Sequence, residues 1–370
     1  MDGKRAAVLT ALLIVILGGF FFLGRVTAPP DVSRSERRPL EKMPEFNMET
    51  VVSGTFMSKF EAYAADSFAF REMFRGIKAV SVFGLFLQTD KSGLYTGGSG
   101  DGKFERIDGD SAVQAAQKIE KVAETLTGAN IYYSFVPDKS IYAGRKYPGF
   151  DPQEMKTLLG SLSGAGGLEF IDLTGLLTGA DFYKTDLHWS QPRILGLAGE
   201  IAGAMGAAFG GDSGWREHSA GSFQGVFPGQ LALPVKKTDE LLYLSSDILE
   251  AAEVWFLDER TAELKPGAMY DPDALESEDS YSFFLGGPQP LIVINNRLAE
   301  TERELFIFRD SFSSSLAPLL VPFYSRITLI DLRYLDSRML PLLVDFPEGS
   351  DVLFLYSSQI LNNSTTLLVR

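Results

Sequence analysis

The sequence predicts an α/β fold in which helices cover a parallel β-sheet. Strand-like apolar runs alternate with segments whose apolar residues recur at helical spacing, and this alternation is typical of parallel sheets. It is interrupted over residues 219–300, which are rich in strand and loop signals, and then resumes; this indicates a β-rich excursion from the main domain. The apolar fraction of 45% and the charged fraction of 22% are ordinary for a globular protein.

The first 24 residues are predicted to anchor the chain in a membrane. Residues 6–24 carry no charge, and as a helix they nearly match the roughly 30 Å hydrocarbon core of a bilayer. A cleaved signal peptide is the alternative, because residues 26–28 (Val-Thr-Ala) are similar to a cleavage site. The two prolines that follow disfavour cleavage, so we expect an uncleaved anchor. Basic residues flank both ends and do not fix the orientation; if the segment enters as a signal anchor, the body lies outside the cytoplasm.

The rest of the chain is predicted to comprise a linker, a helical segment and one large domain. Residues 25–48 are rich in Pro, Arg, Glu and Ser and are interpreted as a linker, whereas residues 49–90 show helical spacing with a bend near residues 68–71. The glycine-rich stretch 93–102 lacks the Lys-Ser/Thr ending of a phosphate-binding loop and is predicted to form hairpin turns. In the domain, residues 91–370, strands are predicted at 130–136, 168–173, 305–308, 327–331 and 352–356, and helices at 111–126, 153–162, 194–208 and 313–321.

The composition argues against several kinds of site. The chain has no cysteine and only two histidines, so we expect no disulfide, no thiolate catalysis and no classical zinc site. An all-carboxylate cation site stays open, but the sequence has no loop signature for one. We also expect no cofactor. The formal net charge is −14, and because residues 1–38 are net basic, the body is more acidic still. An acidic body argues against binding to nucleic acid.

One candidate for chemistry is the segment Tyr183-Lys-Thr-Asp-Leu-His-Trp-Ser. Asp186 precedes His188 by two residues, and in an extended segment both side chains point the same way, so the carboxylate can orient the imidazole. Trp189 would then pack against the ring and limit access of water. The alternative is a partly buried histidine beside a helix start, because Ser-Gln-Pro follows. His218 has no suitably spaced carboxylate and is expected to be a surface or structural residue.

A second candidate is Asp310-Ser311, between a short apolar strand and a predicted helix. A serine there lies at the carboxyl end of the sheet, the edge where open α/β folds bind ligands, and the adjacent helix N-terminus offers N–H groups to an oxyanion. The alternative is a helix N-cap, for which Ser and Asp are common. This segment alone favours the cap, and the serines at 313, 314 and 315 compete for either role.

Together the two segments resemble the signature of the DHHW family and of the related alginate O-acetyltransferase (AlgJ/AlgX-like) group, both in the SGNH-hydrolase-like superfamily. Residues 63–71, 93–95, 136–139 and 330–334 are also similar to segments of that group, so the resemblance covers roughly residues 49–370. Leu187 departs from the pattern, since DHHW proteins place their first histidine there. Arg309 stands where related sequences often have Lys or Gly.

The resemblance implies an SGNH-like fold with Ser311 as nucleophile, His188 as general base and Asp186 as the orienting acid. It implies transfer of an acyl group, most simply acetyl, to hydroxyls of a cell-surface or secreted glycan, with a membrane O-acyltransferase as acyl donor. A glycan O-acetyl esterase of the same fold and a non-catalytic glycan-binding or assembly protein stay open as alternatives. The Ser311 amide is one candidate oxyanion donor. Further candidates for oxyanion or substrate contacts are Asn295, Asn296, Trp189 and Arg309.

Overall fold

The computed structural model of the protein describes residues 3–26, 30–97, 100–143, 150–164, 167–235 and 237–370. The chain divides into two compact units, Met1–Leu94 with Val226–Lys237 and Tyr95–Gly225 with Thr238–Arg370. The helices are α1 (Gly3–Val26), α2 (Met48–Val52), α3 (Thr55–Asp66), α4 (Arg71–Val80), α5 (Gly109–Ala123), α6 (Pro152–Leu158), α7 (Ser161–Gly164), α8 (Leu195–Ala204), α9 (Val226–Leu231), α10 (Asp247–Ala251), α11 (Phe312–Leu320), α12 (Leu340–Leu343) and α13 (Ser358–Leu361). The strands are β1 (Val32–Ser33), β2 (Arg38–Pro39), β3 (Leu94–Tyr95), β4 (Gly102–Lys103), β5 (Asn130–Val136), β6 (Glu169–Phe170), β7 (Arg216–Phe223), β8 (Asp239–Ser245), β9 (Glu253–Asp258), β10 (Glu263–Pro266), β11 (Leu291–Asn295), β12 (Glu304–Arg309), β13 (Arg326–Ile330) and β14 (Asp351–Ser357).

The first unit begins with one long apolar helix. Residues Gly3–Gly24 of α1 have a mean hydropathy of 2.7, and within this stretch only Gly24, at its end, is buried. Its length and composition fit a membrane span or a signal sequence equally well. Residues 27 and 28 of the cleavage-like site and residue 29 after it lie outside the described residues, as do residues 98 and 99 of the glycine-rich stretch.

Part of the segment that we interpreted as a linker is folded. Strands β1 and β2 form a short hairpin with Val32 opposite Pro39. Between them, Glu36 forms ion pairs with Arg71 and Arg75 of α4. Helices α3 and α4 occupy the segment for which helices were predicted, and Phe70 lies at the bend with a φ of 58°. The hairpin is therefore attached to the helices by charge pairs.

The second unit is built on an eight-stranded sheet in the order β10-β9-β11-β13-β12-β14-β5-β6. The five strands from β13 to β6 are parallel, whereas β10, β9 and β11 pair antiparallel at the other end of the sheet. The predicted sheet flanked by helices is confirmed. Of the region at 219–300, β9, β10 and β11 join the central sheet, and β7 and β8 form a separate antiparallel hairpin.

Helices cover both faces of the sheet because the central strands are apolar on both faces. In β12, Leu305 and Ile307 belong to the hydrophobic cluster that includes α8 and α11, whereas Phe306 and Phe308 belong to the cluster that includes α5 and α6. Two-sided burial is typical of parallel strands. Truncating either phenylalanine to Ala would cost about 3–5 kcal/mol. Strand β12 is thus a firmly packed element, and its carboxyl end positions the site.

Turn and cap residues decide where the predicted elements end. The strand predicted at 168–173 is confined to β6, because Asp172 accepts hydrogen bonds from the N–H and the hydroxyl of Thr174, at 3.0 and 2.6 Å, and turns the chain. The helix predicted at 194–208 begins earlier, with a 3₁₀ turn over Gln191–Ile194, and α8 ends at Ala204. Gly206, at a φ of 70°, follows that end.

Candidate active site

Ser311 lies at the carboxyl end of β12 and directly precedes α11. Its side chain forms no capping hydrogen bond to the helix. Asp310 binds the backbone there instead: its carboxylate accepts the Phe312 N–H at 3.0 Å and the Ser357 N–H, at the end of the neighbouring strand β14, at 2.6 Å. Ser311 therefore occupies the N-cap position without a capping hydrogen bond from its side chain, and the serine hydroxyl is left for another partner.

That partner is His188. The Nε2 atom of His188 lies 2.8 Å from the Ser311 hydroxyl oxygen, and its Nδ1 atom lies 2.6 Å from a carboxylate oxygen of Asp186. With the proton on Nδ1, the ring donates to Asp186, and Nε2 accepts the hydrogen bond from Ser311. The structure thus brings Ser311 to a histidine 123 residues earlier in the chain, and the three side chains follow in the order carboxylate, imidazole, hydroxyl.

The contact between Asp186 and His188 arises from a turn, which corrects the extended geometry that we predicted. Residues 184–188 form a bend, closed by a hydrogen bond of 3.0 Å from the Tyr183 N–H to the His188 carbonyl oxygen. The same Asp186 oxygen that meets the ring also accepts the His188 N–H at 3.1 Å. A side-chain-to-backbone bond over two residues is a common turn device of Asp, and here it fixes the carboxylate relative to the imidazole.

A buried lysine holds this turn. The Lys139 ammonium donates to the carbonyl oxygens of Tyr183 and Asp186 at 2.8 and 2.7 Å. Burial lowers the pKa of Lys139 to about 8, although the carboxylates of Asp186 and Asp138 nearby favour its charge. Burial also raises the pKa of Asp138 to about 6. Lys139 thus links Tyr183 to Asp186, the residue whose carboxylate contacts His188.

A second anchor of the turn comes from β8. The Asp239 carboxylate accepts hydrogen bonds from the N–H of Lys184 and from both the N–H and the hydroxyl of Thr185, at 2.7–3.0 Å. Gly225 packs so closely on the same turn that a Cβ atom there would lie 2.4 Å from the Asp186 side chain. The position of Asp186 is therefore set by three separate elements of the second unit.

Tyr281 covers one face of the His188 ring. The two rings are stacked with centroids 3.8 Å apart and an interplanar angle of 7°, and the ring of Phe312 lies 4.9 Å away. The Tyr281 hydroxyl is 2.7 Å from the hydroxyl of Ser315 in α11. Burial raises the pKa of the Tyr281 phenol well above its usual value, so the ring stays neutral. Sequence patterns did not indicate Tyr281, because its segment carries no motif and lies far from both signatures.

Trp189 supports the site from within the core. It is fully buried, and its indole N–H donates to the Phe312 carbonyl oxygen at 3.1 Å and to the Ser315 hydroxyl at 2.9 Å. Its ring meets Phe312 edge-on. The expected packing against the histidine is thus taken by Tyr281 and Phe312, and Trp189 fixes the first turn of α11 instead.

Three other candidate residues form no hydrogen bond with the Ser311 hydroxyl. The Arg309 guanidinium is buried and donates to the Ser314 hydroxyl at 2.7 Å, and burial lowers its pKa. Asn295 pairs with Arg326 at the amino end of β13, because β11 runs antiparallel to it, so this residue lies at the opposite edge of the sheet from Ser311. The Asn296 amide donates to carbonyl oxygens of the segment after α11. We therefore do not retain Asn295 and Asn296 as oxyanion donors.

The backbone N–H of Ser311 is still a candidate oxyanion donor. Among the described residues, no acceptor binds the Ser311 N–H. This N–H lies at the N-terminus of α11, where the helix dipole favours negative charge. An oxyanion formed next to the Ser311 hydroxyl would therefore meet at least one free N–H donor.

His218 lies on β7, apart from this site. Its Nε2 atom is 2.8 Å from the Ser245 hydroxyl, and its ring stacks on Tyr243 with centroids 5.1 Å apart. No described residue forms an ion pair with it. The placement agrees with the structural role that we expected.

The similarity of this chain to known proteins lies in its fold. No protein-family model matches the sequence, and no curated protein matches it. A DHHW family protein from Eubacterium siraeum DSM 15702 superposes with a TM-score of 0.57 at 16% identity, over 75% of this chain and 94% of that one. The chain shares the fold of a DHHW family protein.

Two further solved structures are similar. PatB1 of Bacillus cereus, solved with a sulfonyl adduct, superposes with a TM-score of 0.54 at 17% identity, over 72% of this chain and 95% of that one. The O-acetyltransferase domain of Pseudomonas putida AlgJ superposes with a TM-score of 0.43 at 12% identity, over 74% of this chain and 93% of that one. The superposition with the DHHW family protein confirms the resemblance at the level of the fold.

Proposed function

We propose that the protein is a membrane-anchored enzyme that transfers an acyl group, most simply acetyl, to hydroxyls of a glycan outside the cytoplasm. The observation that carries the proposal is the unbroken chain of contacts from Asp186 through His188 to Ser311, at 2.6 and 2.8 Å. The choice of acetyl and of a glycan acceptor rests on the resemblance of the two motifs to the DHHW and alginate O-acetyltransferase group. The anchor is α1, the long apolar helix.

In the first half-reaction, the Ser311 hydroxyl oxygen attacks the carbonyl carbon of the acyl donor while His188 Nε2 takes the hydroxyl proton. Asp186 stabilises the resulting imidazolium through Nδ1, and the Ser311 N–H binds the developing oxyanion. The tetrahedral intermediate then collapses, and the leaving group departs with the proton from Nε2. The product is an acyl ester on Ser311.

In the second half-reaction, a sugar hydroxyl attacks the acyl ester while His188 Nε2 takes its proton. Collapse of the second intermediate breaks the ester bond to Ser311, and the proton returns to the serine oxygen. Attack by water in place of the sugar would make the protein an esterase. The rings of Tyr281 and Phe312 beside His188 leave little room for water on that side of the base, which favours transfer.

The proposed function requires that the acyl donor reach Ser311 outside the cytoplasm. The resemblance implies a polytopic membrane O-acyltransferase in that role, and the N-terminal helix would keep the enzyme in the same membrane as that donor. The first test requires neither the natural acyl donor nor the glycan, because an activated ester can load Ser311 directly.

The test is covalent labelling of the full chain, followed by turnover. The sulfonyl adduct of PatB1 makes a sulfonyl fluoride the reagent of choice, and we expect it to modify Ser311. Ser245, which also faces a histidine at 2.8 Å, is the internal control and should stay unmodified. Hydrolysis of p-nitrophenyl acetate should fall by at least about 10³-fold in Ser311→Ala and be unchanged in Ser245→Ala.

The outcomes separate the three hypotheses. Faster release of p-nitrophenol when soluble oligosaccharides are added, with acetyl appearing on the sugar, supports a transferase. Equal rates with and without sugar, with acetate as the product, would identify an esterase. No labelling of Ser311 and full turnover in the Ser311→Ala variant would sink the enzymatic proposal and leave a binding or assembly role.

A further inference from the structure

Helix α4 in the first unit turns its apolar face away from the protein. Met73, Phe74, Ile77 and Val80 recur three and four residues apart, and their exposed fractions are 53, 39, 53 and 49%. On a surface helix of a globular protein, such a stripe faces the core and the charged residues face water. Here the apolar stripe is exposed instead.

The charged face of α4 is the one that the first unit holds. Arg71 and Arg75 are each only 14% exposed and form ion pairs with Glu36. The Arg75 guanidinium also donates to the carbonyl oxygens of Gly229 and Gln230, at 2.9 and 3.1 Å. Rolling the helix to bury its apolar stripe would break these bonds and leave the carbonyls without their donor, so the outward orientation is fixed.

The exposed apolar surface continues beyond the end of α4. The chain passes into a π-helical turn, Ser81–Leu85, and three consecutive apolar side chains at its end, Leu85, Phe86 and Leu87, are 72, 65 and 78% exposed. We call the whole surface the apolar strip. Its members are Phe70, Met73, Phe74, Ile77, Val80, Leu85, Phe86 and Leu87.

The apolar strip is continuous with the helix that is long enough to cross a membrane. Phe20, about one turn before the end of the apolar span Gly3–Gly24, stacks on Phe68 with ring centroids 5.3 Å apart. Phe20 also meets Phe70 and Phe74 edge-on, at 6.4 and 5.8 Å. When α1 spans a bilayer, Phe20 lies near its surface, and so do the rings that touch it.

We propose that the apolar strip inserts into the interfacial layer of the bilayer that α1 spans, so that α4 lies along the membrane surface. A strip of Phe, Met, Ile and Leu on one side of a helix beside a membrane span is the composition of an interfacial helix. The occupant of the face is therefore lipid. This inference rests on the anchor in the proposed function, and it is independent of the chemistry at Ser311.

Insertion is driven by apolar burial and not by charge. The arginines of α4 are already paired with Glu36 and Glu72, and the chain carries a net charge of −14. Attraction to anionic lipids is thus not required, and we expect insertion into zwitterionic phosphatidylcholine vesicles that persists in about 0.5 M NaCl.

Because the chain has no cysteine, a fluorophore can be attached at a single introduced cysteine. Single variants Ile77→Cys and Phe86→Cys of the full chain, in phosphatidylcholine vesicles, receive an environment-sensitive fluorophore, and doxyl-labelled lipids serve as quenchers. Lys78→Cys is the matched control, since it is turned about 100° from Ile77 around the helix axis. Ile14→Cys reports whether α1 is inserted. We expect a blue shift and quenching at positions 14, 77 and 86 that is several-fold stronger than at position 78.

The α1 control separates a failure of this inference from a failure of the anchor. Quenching at position 14 with none at positions 77 and 86 would overturn the inference and leave the anchor standing. An absence of quenching at position 14 would overturn the anchor and, with it, the inference. Labels at 77 and 86 that are water-exposed in pure lipid but protected in native membranes would assign the face to a membrane protein and also overturn the inference.

Discussion

The molecule contains two constellations of histidine, serine and tyrosine, and only one of them has the features of a catalytic site. His188 and His218 each place Nε2 2.8 Å from a serine hydroxyl, of Ser311 and Ser245 respectively. Each ring also stacks on a tyrosine. A histidine–serine hydrogen bond by itself therefore does not identify a nucleophile in this protein.

The surroundings of the two histidines differ in three ways. Asp186 binds Nδ1 of His188, whereas no described residue forms an ion pair with His218. Ser311 directly precedes the helix α11, whereas Ser245 ends the strand β8 of a hairpin. The turn before His188 is held by a buried lysine, and His218 lies on a half-exposed strand. An orienting acid, a helix N-terminus and a rigid support are what turn a common contact into a candidate triad.

The largest expected effect is the loss of the base. In His188→Ala, turnover of p-nitrophenyl acetate should fall by at least about 10³-fold, because the Ser311 proton has no acceptor. His218→Ala is the matched control and should leave the rate within about twofold. Equal losses of turnover in the two variants would show that His188 is not the general base.

Removing the acid should have the next largest effect. In Asp186→Asn, the amide presents an N–H to Nδ1 and stabilises the other tautomer, whose Nε2 cannot accept the Ser311 proton; kcat should fall by about 10²–10⁴-fold. The measurement is single-turnover acylation, which isolates the step that needs the base. Acylation at the unaltered rate would show that the contact at 2.6 Å serves the fold alone.

The support of the turn is tested with a pair of lysines. Lys139→Met should lower kcat by about 10–100-fold, since the carbonyl oxygens of Tyr183 and Asp186 lose their donor and the triad shifts. Lys118 also donates to two carbonyl oxygens, those of Ser364 and Leu367, both at 2.8 Å, but it does not contact the turn. Lys118→Met should therefore reduce stability and leave kcat unchanged, and a similar kcat in both variants would refute a positioning role for Lys139.

Lys139 also predicts a pH dependence of stability. Its pKa in the folded protein, about 8, lies below its value of 10.5 in the unfolded chain, so the unfolded state binds more protons between these two values. This group therefore makes the free energy of unfolding rise with pH from about 8 to about 10.5. Denaturant titrations of the wild type and of Lys139→Met across that window should differ in slope, and parallel curves would contradict the assignment.

The smallest expected effect concerns the tyrosines. Tyr281→Phe keeps the stacked ring on His188 and removes only the hydrogen bond to Ser315, so we expect a loss of about 1 kcal/mol in stability and less than a tenfold change in kcat. Tyr281→Ala uncovers the imidazole and should raise the ratio of hydrolysis to transfer. Tyr243→Ala, the equivalent change beside His218, should not alter that ratio.

Much of the architecture was predictable because the central strands are apolar at consecutive positions and alternate with helices. Strand β12 and helix α11, with the Asp-Ser pair between them, follow from the run Leu-Phe-Ile-Phe and the apolar segment after it. The direction of β11 does not follow from such patterns. An antiparallel β11 places Asn295 and Asn296 at the edge opposite Ser311, which is why these residues are not oxyanion donors.

The sequence by itself determined the triad candidates, the apolar N-terminal helix and the class of fold. It did so because rare residue types, local spacing and hydrophobic periodicity are local properties of the chain. Only the tertiary structure decided that Tyr281 covers His188, that Lys139 holds the turn of Asp186, and that the apolar face of α4 is exposed. Each of these depends on contacts between segments far apart in sequence or on which face of an element is buried, and the free energy of such packing is not encoded in any single segment.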